Sequence, residues 1–168
     1  MKRLSPEVPQ LQLLVFRVGA EEFGFELDVV QEVVRTGSLA APPGSPEFVA
    51  GVIELRGVLV PVVDLRRRFG LPRTAADAEA RLIVTKLGAE RIAVAVDSVV
   101  QVLAIPETSL APPPQYFEGL AAEYLLGIAR HDERLILVID PAHLLTSEER
   151  IALEQAEWTA IEADASSA

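Results

Sequence analysis

Arg56 is the first residue whose chemistry stands out. It lies beside Gly57, between the apolar stretches Val52–Leu55 and Val58–Val63, where a bulky charge suits a turn better than a core. A guanidinium on a turn is a rigid fork of donors. It fits a carboxylate, or the free carbonyls at the end of a partner helix. The plain alternative is an ordinary solvated turn arginine. Asp64 and Asp140 each end an apolar run and precede a short segment starting at Leu65 or Pro141. They could be imagined as a paired acid and base, but their matching positions make helix caps the better account. His131 and His143 are the only histidines and lack metal-ligand spacing such as HExxH, so solvated roles are expected for both. The run Arg66-Arg67-Arg68 is a candidate anion-binding patch. The glycines are scattered, with no phosphate-cradling loop.

Bulk composition narrows the chemistry further. The chain has 168 residues, no cysteine and a formal charge of −10. Thiol nucleophiles, disulfides and thiolate metal sites are excluded. So acidic a chain, with so short a basic run, is not expected to bind nucleic acid. The start Met-Lys-Arg-Leu-Ser-Pro has no apolar signal-peptide core, and no apolar run approaches the ~20 residues of a membrane span. A soluble cytoplasmic protein without membrane insertion is the expectation. Half the residues are hydrophobic but only 5% are aromatic, so the core must be built from Val, Leu, Ile and Ala.

Mostly β elements must position these residues. Leu11–Val18, a turn over Gly19–Glu22 and then Phe23–Phe25 give a hairpin signal. Leu27, Val30, Val33 and Val34 recur at helical spacing behind Asp28, which predicts a short helix or helical turn. Pro42–Pro46 breaks the chain. Val52–Leu55 and Val58–Val63 read as two strands joined across Arg56-Gly57, with Pro61 expected at an edge or bulge. Pro72–Arg81 reads as a surface connection. Asp140-Pro141 is a helix start. Thr146 and Glu149 form a capping-box pattern opening a last helix over residues 147–160. Its residues Ile151, Trp158 and Ile161 share one face. Residues 1–10 and 161–168 are expected to be flexible.

The second half repeats the first. Val18-Gly19-Ala20-Glu21 is matched by Leu87-Gly88-Ala89-Glu90, and Asp28 by Asp97, at an offset of 69 residues. Gly51 matches Gly127, and Leu59–Asp64 matches Leu135–Asp140, at an offset of 76, so 7 further residues are expected near Pro112–Pro114. The halves, about 11–70 and 82–145, would each have a marginal core alone, and packing together is the remedy. Short strands with Gly and Pro punctuation favour barrels or a sandwich over a parallel α/β sheet.

The stretch Gly51-Val52-Ile53-Glu54-Leu55-Arg56-Gly57-Val58-Leu59-Val60-Pro61-Val62-Val63-Asp64-Leu65-Arg66 resembles the signature of the CheW family. Val30–Val33, Val96–Val99, Glu123–Gly127, Arg134–Val138 and Leu144–Glu149 resemble it in order and spacing, so the similarity covers about residues 11–155. The resemblance implies a mainly β fold of two small five-stranded barrels around a shared core, with short helices and a C-terminal helix. It also implies a non-enzymatic adaptor without cofactor. Its partners would be the regulatory domain of the histidine kinase CheA and the cytoplasmic hairpin tip of chemoreceptors.

The same resemblance places Arg56 at receptor and kinase coupling, and Val30, Glu32, Leu59 and Gly57 around it. Read as pattern alone, Val30 is a core residue and Glu32 a solvated charge. Gly51 and Gly57 would serve function only by admitting a partner backbone; local turn or bulge geometry is the simpler account. Val102 aligns with a coupling position, but it repeats Val33, and a core role is equally compatible. The chain departs from the family pattern at Val34, where many members have Arg, and at Glu54, where Asn is common. Glu54 adds negative charge beside Arg56 and is a candidate for retuning partner choice. Two other functions stay open. One is a CheW-like adaptor of a gliding, pilus or second-messenger pathway; the other, from a different class, is a small β-barrel that binds or transforms a metabolite.

Overall fold

The structure is a computed structural model that describes residues 8–37, 39–72, 78–113 and 124–155. In chain order the elements are β1 (Gln10–Val18), β2 (Glu21–Glu26), a 3₁₀ turn (Leu27–Val29), β3 (Val30–Arg35), β4 (Val49–Leu55), β5 (Val58–Asp64) and α1 (Leu65–Arg68). The second half gives β6 (Arg81–Leu87), β7 (Glu90–Val96), β8 (Ser98–Pro106), a 3₁₀ turn (Glu107–Ser109), β9 (Leu110–Ala111), β10 (Leu125–His131) and β11 (Arg134–Ile139). A 3₁₀ helix (Pro141–Leu144) and α2 (Ser147–Gln155) follow.

These strands form two sheets. One has six strands in the order β8-β1-β2-β11-β10-β9, the other five in the order β3-β6-β7-β5-β4. Each draws strands from both halves of the chain. Under the internal repeat, β8, β1, β2, β11 and β10 correspond to β3, β6, β7, β5 and β4, so the two sheet orders are the same order. The β1–β2 hairpin of the first half therefore completes the sheet of the second, and the reverse. The five-stranded pair of the sequence reading is corrected to five and six, because the two-residue β9 adds an edge to one sheet. Neither sheet closes through backbone pairing at its edges.

Three apolar clusters explain the long hydrophobic runs. Leu13, Val15, Ile105, Ala129, Ile136 and Val138 form one buried face of the six-stranded sheet. Val60, Val62, Leu82, Val84 and Ala93 form that of the five-stranded one. The alternate residues Leu14, Phe16 and Phe25 meet Val63, Ile83 and Val94 in a shared core between the sheets. Strands buried on both faces read as continuous apolar segments, which is why β5 shows no alternation. The few aromatics concentrate at that shared core: Phe16 packs at 4.8 Å from Phe25, and Phe69 bridges Phe23 and Tyr124 at 5.1 and 5.6 Å.

Several expectations are corrected. Val30–Arg35 is a strand, not a helix: only Leu27–Val29 turns, and burial then alternates residue by residue along β3. Three β-branched valines in six residues favour that outcome. Pro61 lies in a strand flanked on both sides, not at an edge. Its pairing with β7 starts only at Val62, beside a register irregularity of β4 at Val49/Gly51. Ile151 is 53% exposed, so it does not anchor α2. The remaining positions predicted for that helix face, Trp158 and Ile161, lie outside the described residues, as do residues 73–77 of the surface connection, Pro114, residues 1–7 and the predicted tail 161–168. Gln10, placed in the N-terminal tail, opens β1 instead.

Candidate functional site

Both central residues of the β4–β5 hairpin turn have positive φ, 51° at Arg56 and 81° at Gly57. That pattern matches the twist of the flanking strands and costs a non-glycine residue about 1–2 kcal/mol. The repeat-equivalent turn carries the same feature at Asp132 (φ 49°) and Glu133 (φ 66°), so the strain belongs to the hairpin and not to arginine. What the turn does for Arg56 is direction. Its Nη1 donates to Glu32 Oε2 at 2.5 Å and its Nη2 to Oε1 at 3.2 Å. Glu32 reaches this position because β3 is irregular between Val30 and Glu32, a device that re-aims side chains on edge strands.

β3 and β4 are the opposite edges of the five-stranded sheet. The Arg56–Glu32 fork therefore spans the open seam that backbone pairing leaves unclosed. The arginine side chain remains 72% exposed and the glutamate 24%. The hydrogen bonds to Glu32, reinforced by its charge, hold the Arg56 guanidinium above its ordinary value. Glu54 faces Leu59 across the β4–β5 ladder, is exposed, and has no ion pair among the described residues. Val58, next to Gly57, is 42% exposed. The β4–β5 hairpin thus presents a paired charge, a free carboxylate and an apolar lip.

Residues 12–149 match the family profile described as CheW-like domain. The chain belongs to the CheW family. The chemotaxis protein CheW of Klebsiella aerogenes is 34% identical over 149 residues, covering 89% of this chain and 90% of that protein. Protein FrzA of Myxococcus xanthus is also 34% identical, over 122 residues that cover 73% of this chain and 76% of FrzA. The crystal structure of the scaffolding protein TtCheW from Thermoanaerobacter tengcongensis matches with a TM-score of 0.77 at 31% identity, over 84% of this chain and 97% of that one.

Within this CheW-family fold the sequence-derived site is partly assembled. Arg56 and Glu32 meet across the seam; Gly57 completes the turn that carries Arg56, and Glu54 and Leu59 face each other on the adjoining β4–β5 ladder. Val30 lies on β3 but packs against the shared core, so it is not the floor of a groove beside Arg56. Val102 sits on β8 in the other sheet and is 51% exposed, as its repeat partner Val33 is at 39%; neither has a core role. Gly51 answers to local geometry: a Cβ there would lie 2.7 Å from Leu39 Cβ. The equivalent Gly127 would meet Ala111 O at 2.6 Å. Each glycine admits the chain's own neighbouring segment.

The arginine run is not a free anion patch. Arg66 donates to Asp97 through Nε (3.0 Å) and Nη2 (2.8 Å), and to Pro72 O through Nη1. Arg67 donates to Glu47 O, and Arg68 to Glu149 Oε2 while lying 5.8 Å from the Phe48 ring centroid. Asp97 is a hub that sequence reasoning missed. Its Oδ2 also accepts Gly19 N–H at 2.8 Å, and its own N–H donates to Arg17 O. Burial works to raise its carboxyl, but Arg66 and the Gly19 N–H prevail and hold it below the ordinary value. The advance signals were the match of Asp97 with Asp28 and its place in the family-like segment Val96–Val99. The caps, by contrast, stand as read: Asp64 Oδ1 accepts from Arg66 N and Asp140 Oδ1 from Ala142 N, both at 2.9 Å. His131 and His143 border Asp132 and Asp140 respectively and are not brought together.

Proposed function

We propose that this chain is a non-catalytic cytoplasmic scaffold that couples chemoreceptors to a CheA-type histidine kinase. The observation that carries the reading is the Arg56–Glu32 fork, exposed on a rigid hairpin of a CheW-family fold. A bidentate pair that stays open to solvent can be shared with, or exchanged for, a carboxylate or helix-end carbonyls of a docking hairpin. Leu59 and Val58 supply apolar contact beside it. Coupling needs no chemistry of its own: the scaffold favours one arrangement of kinase and receptor by binding it more tightly.

The likeness to TtCheW, itself a scaffolding protein, supports this reading. A metabolite-binding barrel fits less well. A cavity of about 420 Å³ is lined by Pro46, Phe48 and Ala152 together with the charged residues Glu47, Asp64, Arg67, Arg68, Glu148 and Glu149. Arg67 and Arg68 are taken up by Glu47 O and Glu149, whereas a small-molecule site keeps a few polar groups converging on its ligand. A second reading, an adaptor of a non-flagellar pathway, draws on the match to FrzA, which is as identical to this chain as CheW of K. aerogenes. A pull-down with the cognate CheA regulatory domain and a receptor hairpin tests the proposal. Wild type is expected to retain both, and Arg56→Ala to lose at least one. Folded wild type that retains neither refutes the adaptor; Arg56→Ala that retains both refutes only the site.

A further inference from the structure

We propose that a pocket between Glu26, Asp28 and Asp140 receives an arginine side chain from a protein partner. The internal repeat supplies the comparison. Asp28 stands where Asp97 stands, Asp140 where Asp64 stands, and Ala142 where Arg66 stands. In one copy the aspartates hold a guanidinium: Asp97 chelates Arg66 through both oxygens, while Asp64 caps its backbone and adds its charge. In the other copy the arginine is an alanine, and a cavity of about 130 Å³ opens.

That cavity is lined by the three carboxylates together with Val29, Leu126 and Pro141. Apolar walls beside carboxylates suit an arginine, whose stem can be buried while its head is paired. The side chains of Glu26 and Asp28 have no hydrogen bond or ion pair among the described residues. Asp140 accepts Ala142 N–H and, among the described residues, is ion-paired only with His143, whose Nε2 lies at 3.9 Å. The repulsion is visible in Glu26, whose carboxyl is pushed up by burial and then by Asp28, Asp140 and Glu107. Among the described residues no three acidic or histidine side chains converge closely enough for a metal ion. A planar fork can bridge carboxylates that are too far apart to share one ion. Leu126, 37% exposed at the rim, gives the partner an apolar contact. This site is separate from the seam at Arg56, so it stands or falls independently of the proposed function.

The test is an isotope-edited NMR titration of the full chain at pH 8. The probes are acetyl-Leu-Arg-amide, its citrulline counterpart and ethylguanidinium, at constant ionic strength. The arginine peptide is expected to shift the amides of residues 26–29, 126 and 140–142, and the citrulline peptide not to. Asp28→Asn should weaken binding by about tenfold. Ala142→Arg should fill the pocket from within, abolishing peptide binding and raising the thermal midpoint as it recreates the Arg66–Asp97 pair. Equal binding by Asp28→Asn, shifts that centre elsewhere, or an Ala142→Arg variant that still binds would overturn the site. Equal affinity for ethylguanidinium and the arginine peptide would overturn the assignment to a partner side chain.

Discussion

Asp97→Asn isolates the electrostatic part of the contact that ties the two sheets at one corner. Asparagine keeps the shape and one acceptor for the Gly19 N–H but loses the ion pair with Arg66. The side chains are 19% and 31% exposed, so the pair lies between a solvated surface bridge, worth about 0–1 kcal/mol, and a buried one, whose rupture costs about 3–5. Two charged hydrogen bonds at 3.0 and 2.8 Å, discounted for that exposure, give a loss of about 1.5–2 kcal/mol. For a chain of this size that lowers the thermal midpoint by roughly 4–6 °C. The pH dependence carries its own sign. A carboxyl held below 3.8 contributes stability that is present above the unfolded value and disappears as pH falls through the folded one. Denaturant melts of wild type and Asp97→Asn should therefore differ at pH 7, and the gap should close in the acid region below 3.8. A gap absent at pH 7, or one unchanged in acid, refutes the reasoning. Arg66→Gln completes a double-mutant cycle, and a coupling energy near zero would have the same force.

Other substitutions probe the repeat and the C-terminal helix. Gly127→Ala would set a Cβ 2.6 Å from a backbone oxygen, Ala111 O; strand β9 must move, and a loss of about 1–3 kcal/mol is expected by chemical denaturation. Glu149 accepts the Thr146 N–H with one oxygen and Arg68 with the other, at 2.9 and 3.0 Å. Glu149→Ala should therefore fray α2 with a cost of about 1 kcal/mol, read as accelerated amide exchange over residues 147–155. Glu32→Gln removes the charge that holds Arg56 across the seam. The arginine should become mobile on the nanosecond scale by side-chain relaxation, with the global midpoint changed by less than about 2 °C, because exposed pairs contribute little stability.

What the sequence made legible follows from how local each cause is. The caps at Asp64, Asp140 and Thr146 depend on a few neighbouring residues, and all three stand in the structure. The hairpin turn at Arg56-Gly57 is equally local. The segment after Asp28 was misread because Leu27, Val30, Val33 and Val34 satisfy helical spacing, while their burial is set by β6 pairing along β3. That is tertiary context overriding a weak pattern. The duplication was visible as matched blocks, but the exchange of hairpins between halves was not. Blocks 69 and 76 residues apart say that two units are alike, not which strands they pair with. The same limit explains Asp97. Its partner Arg66 lies 31 residues away, inside a basic run whose pattern suggests an anion-binding patch. Arg56 and Glu32, 24 residues apart, were placed together by family resemblance, and the fork between them came from the bulge on β3 and the turn geometry.

The central claim is that one chain holds kinase and receptor at once, with Arg56 at the point of coupling. Calorimetric titration of a receptor hairpin into the adaptor, alone and saturated with the CheA regulatory domain, tests it most directly. A ternary complex is expected, in which each partner changes the affinity of the other by one common factor. Arg56→Ala, still folded, is expected to weaken receptor binding by about tenfold or more. Displacement of one partner by the other, or unchanged titrations with Arg56→Ala, would contradict the claim.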